Sequence, residues 1–233
     1  MVRVCRVALV LGVAMLLAGP ALGQQEKGKG RGRGGFGGGG IDGLVRMPEV
    51  QKELKLDKEE VDKATEALKK VNDAHQEDRA KLRDLDQEER MVKMRELGQV
   101  VYTESMTALN DVFKPDQIKR LKQLYLQRLG AGAFTNAEVV KELKLTSEQQ
   151  DKIKTINEDS RAAMRELFQS GQGGAGAGAM QKMEGLNKET MSKVVGVLTD
   201  DQKKSWKEMT GDEFKFPPPQ FGGRGRRGGG GGV

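Results

Sequence analysis

The chain contains the same sequence unit twice, and this repeat constrains its fold more than any other feature. The segment EVQKELKLDKEEVDK at residues 49–63 matches EVVKELKLTSEQQDK at residues 138–152, with ten of fifteen positions identical at an offset of 89 residues. A second pair follows at an offset of 85 residues, where VFKPDQIK from Val112 matches VLTDDQKK from Val197. Repeats of roughly 80 residues are too long for short solenoid repeats and indicate a duplicated helical module.

Both copies carry the signatures of helix starts. In a capping box, a hydroxyl or carboxylate accepts a hydrogen bond from the backbone N–H three residues later, and a Glu or Gln at that position reaches back. Pairs with this spacing and chemistry stand directly before apolar-periodic segments in each copy. They are Asp57 and Glu60, Thr146 and Gln149, and Thr199 and Gln202, and we assign all six a structural, helix-capping role.

The apolar residues that follow these starts recur at steps of three and four. This spacing is typical of amphipathic helices packed in a heptad-like, coiled-coil manner, and no segment alternates with the period of a strand. We therefore predict an all-α chain. The predicted helices cover residues 48–54, 57–84, 87–112, 115–129, 137–143, 147–169, 180–197 and 200–210.

Each copy also has a predicted break in the middle. The first copy has a further capping box at Asp86–Glu89, and the second has the sequence SGQGGAGAGA at residues 170–179, which is too rich in glycine to remain helical. The matching positions of the two breaks favour a helical hairpin in each unit. The alternative is one unbroken helix through residue 112 in the first unit.

The two ends of the chain differ from the repeat in composition. Arg3 and Arg6 precede an apolar run, Val7–Leu17, and small residues follow, which predicts a secretory signal peptide and a periplasmic or extracellular protein that does not span the membrane after processing. Glycine-rich ends with few apolar side chains are predicted to be disordered. The expected organisation is a signal peptide at 1–23, a Gly/Arg-rich tail at 24–46, helical units at 47–134 and 135–216, and a Pro/Gly/Arg-rich tail at 217–233.

The residues that could carry chemistry are few. Cys5 lies in the predicted signal peptide, so a processed chain would have no thiol. His75 falls on the apolar stripe of the first long helix, where it is either a polar residue at a helix seam, paired with Asp78, or a pH-sensitive switch. One histidine supports neither a nucleophilic triad nor a zinc site. We predict a binding protein rather than an enzyme, with no metal and no cofactor.

Methionine and other apolar residues flank the two predicted hairpin tips. They are interpreted either as core residues or as an adaptable apolar surface, because methionine accommodates irregular partners. In the second interpretation they bind partly unfolded client chains. The candidate client-binding residues are Met91, Met94, Leu97, Val101, Met164, Met180 and Met183.

The arginine residues of the tails suggest a second function. Arg-Gly strings with an occasional phenylalanine resemble segments that bind nucleic acids and other anionic polymers through charge and stacking. In this alternative, a structural or surface protein binds anionic polymers through its tails, and otherwise the tails only keep the protein soluble. The candidate anion-binding residues are Arg31, Arg33, Arg224, Arg226 and Arg227.

Two segments carry a family resemblance. Leu145–Gln149 (LTSEQ) and Leu198–Gln202 (LTDDQ) both fit the pattern LTxxQ, while the first unit has LDKEE and FKPDQ at the equivalent places. Together with the predicted export signal and helices, they resemble the LTxxQ-motif family of Spy/CpxP-like periplasmic proteins. The resemblance covers the helical body and not the tails.

This resemblance implies a long, bent helical hairpin, often dimerised into a cradle. Such proteins protect unfolded polypeptides without ATP or repress a sensor protein for envelope stress, and some relatives sense metals. The single histidine does not favour metal sensing here. Because this chain joins two units, the resemblance implies an intramolecular pseudo-dimer in place of the usual homodimer.

Overall fold

The computed structural model describes residues 40–169 and 177–217. Within these ranges the chain forms ten α-helices and two short 3₁₀ helices and contains no strand, so the prediction of an all-α fold is confirmed. The α-helices are α1 (Ile41–Val45), α2 (Pro48–Glu53), α3 (Lys58–Ala74), α4 (Gln76–Lys81), α5 (Gln87–Asn110), α6 (Pro115–Leu129), α7 (Ala137–Glu142), α8 (Ser147–Gln169), α9 (Ala177–Val197) and α10 (Asp200–Thr210). The 3₁₀ helices are Leu82–Asp84 and Gly130–Thr135. The predicted signal peptide and the predicted tails outside residues 40–46 and 217 lie outside the described residues.

The two copies of the repeat form the same order of helices. The first copy supplies α2, α3, α5 and α6, and the second supplies α7, α8, α9 and α10. In the second copy, Gln149 at the start of α8 donates to the carbonyl of Val197 at the end of α9, so these helices run antiparallel. Helices α3 and α5 also pack on each other, and α6 of the first copy packs on α10 of the second.

The short helices α2 and α7 end in the same way. The residues after them, Lys55 and Lys144, have positive φ angles of 53° and 50° and occupy equivalent places in the repeat. The amide of the following leucine donates to the carbonyl five residues back, at 2.9 Å for Leu56 and 3.0 Å for Leu145. This is the left-handed C-cap that glycine usually provides. It turns the chain sharply into the capping box of the next helix.

Two apolar cores hold the helices together. The first contains Ile41, Leu44, Val45, Val50, Leu54, Ala64, Leu68, Met106, Leu109, Phe113, Ile118, Leu121 and Leu124. The second contains Ala133, Phe134, Val139, Leu143, Leu145, Ile153, Val194, Leu198 and Trp206. Phe134 and Trp206 anchor the second core with ring centroids 4.3 Å apart.

The predicted boundary of the N-terminal tail was wrong. Residues 41–45 form α1, and Ile41, Leu44 and Val45 are each at most 3% exposed in the first core. The spacing of these three residues is that of one face of a helix, so their burial offsets the entropy of ordering the segment. The glycine-rich composition of residues 24–40 led to a prediction of disorder that extended over this short apolar pattern.

The predicted assignment of residues to the two units also needs correction. Ala133 and Phe134, placed at the end of the first unit, lie in the second core. Phe214 and Phe216, placed at the end of the second unit, pack against the first core. Both corrections have the same cause. The segments that connect the two copies pack their apolar residues on the nearer core, and the sequence repeat does not specify which core is nearer.

Two predicted helices differ from the observed ones by three residues or more at one end. The helix predicted at residues 57–84 is interrupted at His75, which has φ −100° and ψ 14°, and Asp86 caps a new helix, so the unbroken alternative is excluded. Helix α9 begins at Ala177 rather than at residue 180, because alanines at its start tolerate the helical conformation well. None of the described helices is long and apolar enough to cross a membrane.

A C-terminal strap, residues 211–217, returns from α10 over α6. One glutamine and one arginine of α6 hold it. Gln127 donates to the carbonyl of Asp212 and to that of Thr210, the last residue of α10, and Arg120 donates to the carbonyl of Asp212. Gln127 also accepts a hydrogen bond from the amide of Phe214. The strap therefore joins the end of the second copy to the first core.

Candidate functional site

A stripe of apolar side chains on α5 is partly exposed, and its residues match a sequence prediction. Met91, Met94, Leu97 and Val101 are spaced by three and four residues, so they lie along one side of the helix, and we call them the α5 face. Met91 and Met94 are 47% and 48% exposed, while Leu97 and Val101 are half-buried. Val92 and Val100 are also exposed but lie on other sides of α5. All four members of the α5 face are among the predicted client-binding residues.

The α5 face is open because the partner helix ends early. His75, directly after α3, reaches Glu104 in α5, so the part of α5 before residue 104 extends beyond the end of α3. Beyond that point the chain forms the short α4 and the 3₁₀ helix Leu82–Asp84, and the 3₁₀ helix packs on α5. The N-terminal half of α5 therefore lacks a long helix on one side.

The α5 face leads into a cleft of about 770 Å³. This volume lies within the range typical of small-molecule and peptide sites. Met94, Leu97 and Val101 line it from α5, while α1, α6 and the 3₁₀ helix Gly130–Thr135 form other walls. The cleft is also lined by Asn72, Arg79, Arg95, Gln99, Tyr102 and Tyr125.

A pair of stacked tyrosines forms the aromatic part of the cleft. The rings of Tyr102 on α5 and Tyr125 on α6 have centroids 4.6 Å apart and planes 18° apart. Burial raises the pKa of both phenols, and the nearby carboxylate of Glu138 adds to the effect on Tyr102. Both hydroxyls therefore stay protonated at neutral pH and can donate hydrogen bonds.

The rim of the cleft is polar and held in place. Arg79 donates two hydrogen bonds of 2.8 Å to Asn72, one to its backbone carbonyl and one to its side-chain oxygen. Arg95 and Gln99 stand on the α5 side of the same cleft. The cleft thus combines apolar and aromatic walls with a few hydrogen-bonding groups, the combination common in binding sites.

His75 lies at the junction of α3 and α4. Its Nε2 atom is 2.7 Å from Oε2 of Glu104 on α5, and its Nδ1 atom is 3.4 Å from Oδ2 of Asp78. The hydrogen bond with Glu104 is the main cause that raises the pKa of His75. The sequence suggested the neighbour at Asp78 but gave no sign of Glu104, which is 29 residues away.

The other predicted client-binding residues lie elsewhere. Met164 on α8 and Met180 and Met183 on α9 are half-buried, and none of them lines the cleft. Conversely, the sequence analysis missed Tyr102 and Tyr125. Tyr102 follows Met91 by eleven residues and so continues the same side of α5, a signal that extending the stripe would have found. Tyr125 comes from another helix, and its approach depends on tertiary packing.

The six capping residues form the hydrogen bonds expected of their boxes. Asp57 Oδ1 accepts from the amide of Glu60 at 2.8 Å, and the carboxylate of Glu60 accepts from the amide of Asp57 at 3.0 Å. The Thr146–Gln149 and Thr199–Gln202 pairs make the same two bonds. These residues lie at helix starts, apart from the cleft.

Residues 40–169 and 177–217 contain no group of three or more His, Cys, Asp or Glu side chains placed to hold a metal ion. The candidate anion-binding arginines of the tails, Arg31, Arg33, Arg224, Arg226 and Arg227, lie outside the described residues.

Comparison with protein-family models, with curated proteins and with solved structures finds no match to this chain.

Proposed function

We propose that this protein holds apolar segments of partly unfolded polypeptides, without ATP, in the cleft beside α5. The observation that carries this proposal is the α5 face, where two exposed methionines lead into an apolar and aromatic cleft. Exposed apolar side chains grouped at a concave site favour binding, since covering them removes apolar area from water.

The chemistry of the face suits clients of varied sequence. Methionine is flexible and polarisable, so Met91 and Met94 can adapt to different side chains. Leu97 and Val101 add a half-buried apolar wall behind them. A surface of this kind binds many apolar segments weakly rather than one segment tightly.

The rim of the cleft suits a polypeptide backbone. An unfolded segment brings amide and carbonyl groups that must keep hydrogen bonds when they leave water. Arg95 and Gln99 offer such partners beside the apolar wall. The export predicted for residues 1–23 and the resemblance of the LTxxQ segments to Spy/CpxP-like proteins agree with holding clients without ATP.

The proposal is tested with an aggregation assay on an unrelated client, such as chemically reduced α-lactalbumin, followed by light scattering. The full chain should suppress aggregation, and Met94→Glu should weaken suppression by about tenfold, because client binding would bury a charge at a cost of at least about 1.4 kcal/mol.

Phe168→Glu is the matched control. Phe168 is 50% exposed on α8 and does not line the cleft, so the same change in charge should leave suppression within about twofold of the original. Circular dichroism would verify that both variants keep their helices. Equal loss in both variants, or loss in Phe168→Glu alone, would show that the cleft is not the site.

A further inference from the structure

The nine methionines of the described residues differ in their access to solvent. Met91 and Met94 are exposed, and the other seven are buried or half-buried. The seven are Met47, Met106, Met164, Met180, Met183, Met191 and Met209. Two methionines in the described chain are thus more exposed to solvent than the other seven.

Two methionines of α9, the helix of the second copy that occupies the place of α5, supply a comparison for these two residues. Met180 and Met183 are also three residues apart near the start of their helix, although the offset of 85 residues that relates Val112 to Val197 does not align them with Met91 and Met94. The second pair is half-buried because α9 lies against α8, a helix of 23 residues, whereas α3 has only 17 residues and leaves the N-terminal part of α5 uncovered. A methionine pair near the start of its helix is therefore accessible in α5 and partly shielded in α9.

We propose that Met91 and Met94 form a methionine oxidation site, where a two-electron oxidant such as hydrogen peroxide converts both thioethers to sulfoxides and switches off the α5 face. The sulfur lone pair attacks one peroxide oxygen, and the S–O bond forms as the O–O bond breaks. The proton on the transferred oxygen passes to the departing hydroxide, which leaves as water. Sulfur is oxidised by two electrons and the peroxide is reduced.

Oxidation changes the character of the α5 face at its exposed end. Each sulfoxide replaces an apolar sulfur with a strongly polar S–O group. Met91 and Met94 are three residues apart on one side of the helix, and Met94 also lines the cleft, so both new groups stand where an apolar segment would enter. Binding would then require removing water from these polar groups without a partner. This functional effect rests on the proposed holding of apolar segments.

The modification is reversible in chemical terms. Methionine sulfoxide reductases return the sulfoxide to the thioether, while two thiols of the reductant become a disulfide and the oxygen leaves as water. Because neither Met91 nor Met94 is part of a buried core, oxidation should leave the helices intact. Reduction of the two sulfoxides should then restore client binding fully.

The first experiment measures which methionines react. The folded full chain is treated with hydrogen peroxide for increasing times, quenched with catalase and digested, and the sulfoxide fraction at each methionine is read by mass spectrometry. Met91 and Met94 should react at least about threefold faster than Met180 and Met183, and about tenfold faster than buried Met106. In denaturant the rates should become equal. Equal rates at the α5 pair and the α9 pair in the folded chain would overturn the site.

The second experiment tests the functional effect by client aggregation. For each variant, the quantity compared is the fraction of its own suppression that survives peroxide. This fraction should be low for the original chain and for Met180→Leu/Met183→Leu, high for Met91→Leu/Met94→Leu, and restored in the original chain by reductases with a dithiol. Equal peroxide sensitivity in both double variants would show that other methionines control binding. If the untreated chain suppresses nothing, the proposed function fails, whereas the oxidation site is still judged by the peptide rates.

Discussion

The side-chain amides of Gln149 and Gln202 exchange two hydrogen bonds, with Nε2–Oε1 distances of 2.7 and 3.0 Å. Each glutamine is the last residue of an LTxxQ segment, so the two segments contact each other through these residues. Gln149 also donates to the carbonyl of Val197, and Gln202 donates to that of Leu143. The pair thus joins the starts of α8 and α10 to the ends of α9 and α7. Its role is structural: it fixes how four helices of the second copy meet.

Replacing Gln149 with Glu should destabilise the second copy. A carboxylate can still accept from the amide of Thr146 and from Nε2 of Gln202, but it cannot donate. It would therefore lose the bonds to the carbonyl of Val197 and to Oε1 of Gln202 and leave both oxygens facing a carboxylate. We expect the free energy of unfolding to fall by about 2–3 kcal/mol, the cost of leaving partly buried polar groups without partners. Urea denaturation followed by circular dichroism measures this change.

Glu148→Gln is the control for this prediction. Glu148 is exposed next to Gln149, and its ion pair with Lys152 lies on the surface. We expect a change much smaller than that of Gln149→Glu, as is usual for exposed ion pairs. A loss as large as that of Gln149→Glu would mean that charge at the start of α8 matters more than the amide pair.

Lys144→Gly should stabilise the protein. Lys144 has a φ of 50°, a conformation that costs L-residues roughly 1–2 kcal/mol and costs glycine nothing, while glycine loses about 0.5–1 kcal/mol more backbone entropy on folding. The net gain in the free energy of unfolding should therefore be up to about 1 kcal/mol. Thermal denaturation should show a higher midpoint for Lys144→Gly and a lower one for Lys144→Val, whose branched side chain suits this conformation least. A lower midpoint for the glycine variant contradicts the argument.

Local sequence signals predicted much of the helical framework. The helices predicted at 115–129, 147–169 and 200–210 coincide with α6, α8 and α10, because each starts at a capping residue or an N-terminal proline. These signals act within one turn of the chain, so they are readable without knowledge of the tertiary structure. The α5 face was predicted in the same way, from spacing on one helix.

The features that the sequence did not predict all depend on distant contacts. Glu104 lies near His75 only because α3 and α5 pack antiparallel, and Tyr125 stacks on Tyr102 only because α6 crosses α5 at that point. The burial of Phe214 requires the strap to return across α6. Nothing in the local pattern of these residues specifies such partners.

Gly211→Ala should loosen the strap. Gly211 has a φ of 61°, and an added Cβ atom would collide with the side-chain amide of Gln123 on α6. We expect a loss of about 1–2 kcal/mol from backbone strain and faster hydrogen exchange at the amide of Phe214. Mass-spectrometric hydrogen exchange of the C-terminal peptide measures the local effect.

Gly196→Ala provides the opposite control. Gly196 lies inside α9, and an added Cβ atom would meet nothing within 4 Å. Alanine is a better helix former than glycine, so this variant should gain about 0.5–1 kcal/mol and leave exchange at the strap unchanged. Equal exchange of the strap in both glycine variants would contradict the proposed constraint at Gly211.

His75 should make stability depend on pH through its contact with Glu104. The side chain of His75 is 13% exposed, and the charged groups that face it are Glu104 on α5 and Asp78 on α4. The hydrogen bond with Glu104 raises the pKa of His75 above 6.5, so its contribution is fully present below that pH and is lost as pH rises through the folded pKa. The stability of the original chain relative to His75→Gln should therefore be greater near pH 5.5 than near pH 8, roughly the range over which a perturbed histidine titrates.

Urea midpoints of the original chain and of His75→Gln across this range measure the difference, and Glu104→Gln should reduce it. Parallel pH profiles for the original chain and His75→Gln would show that the contact does not couple protonation to folding.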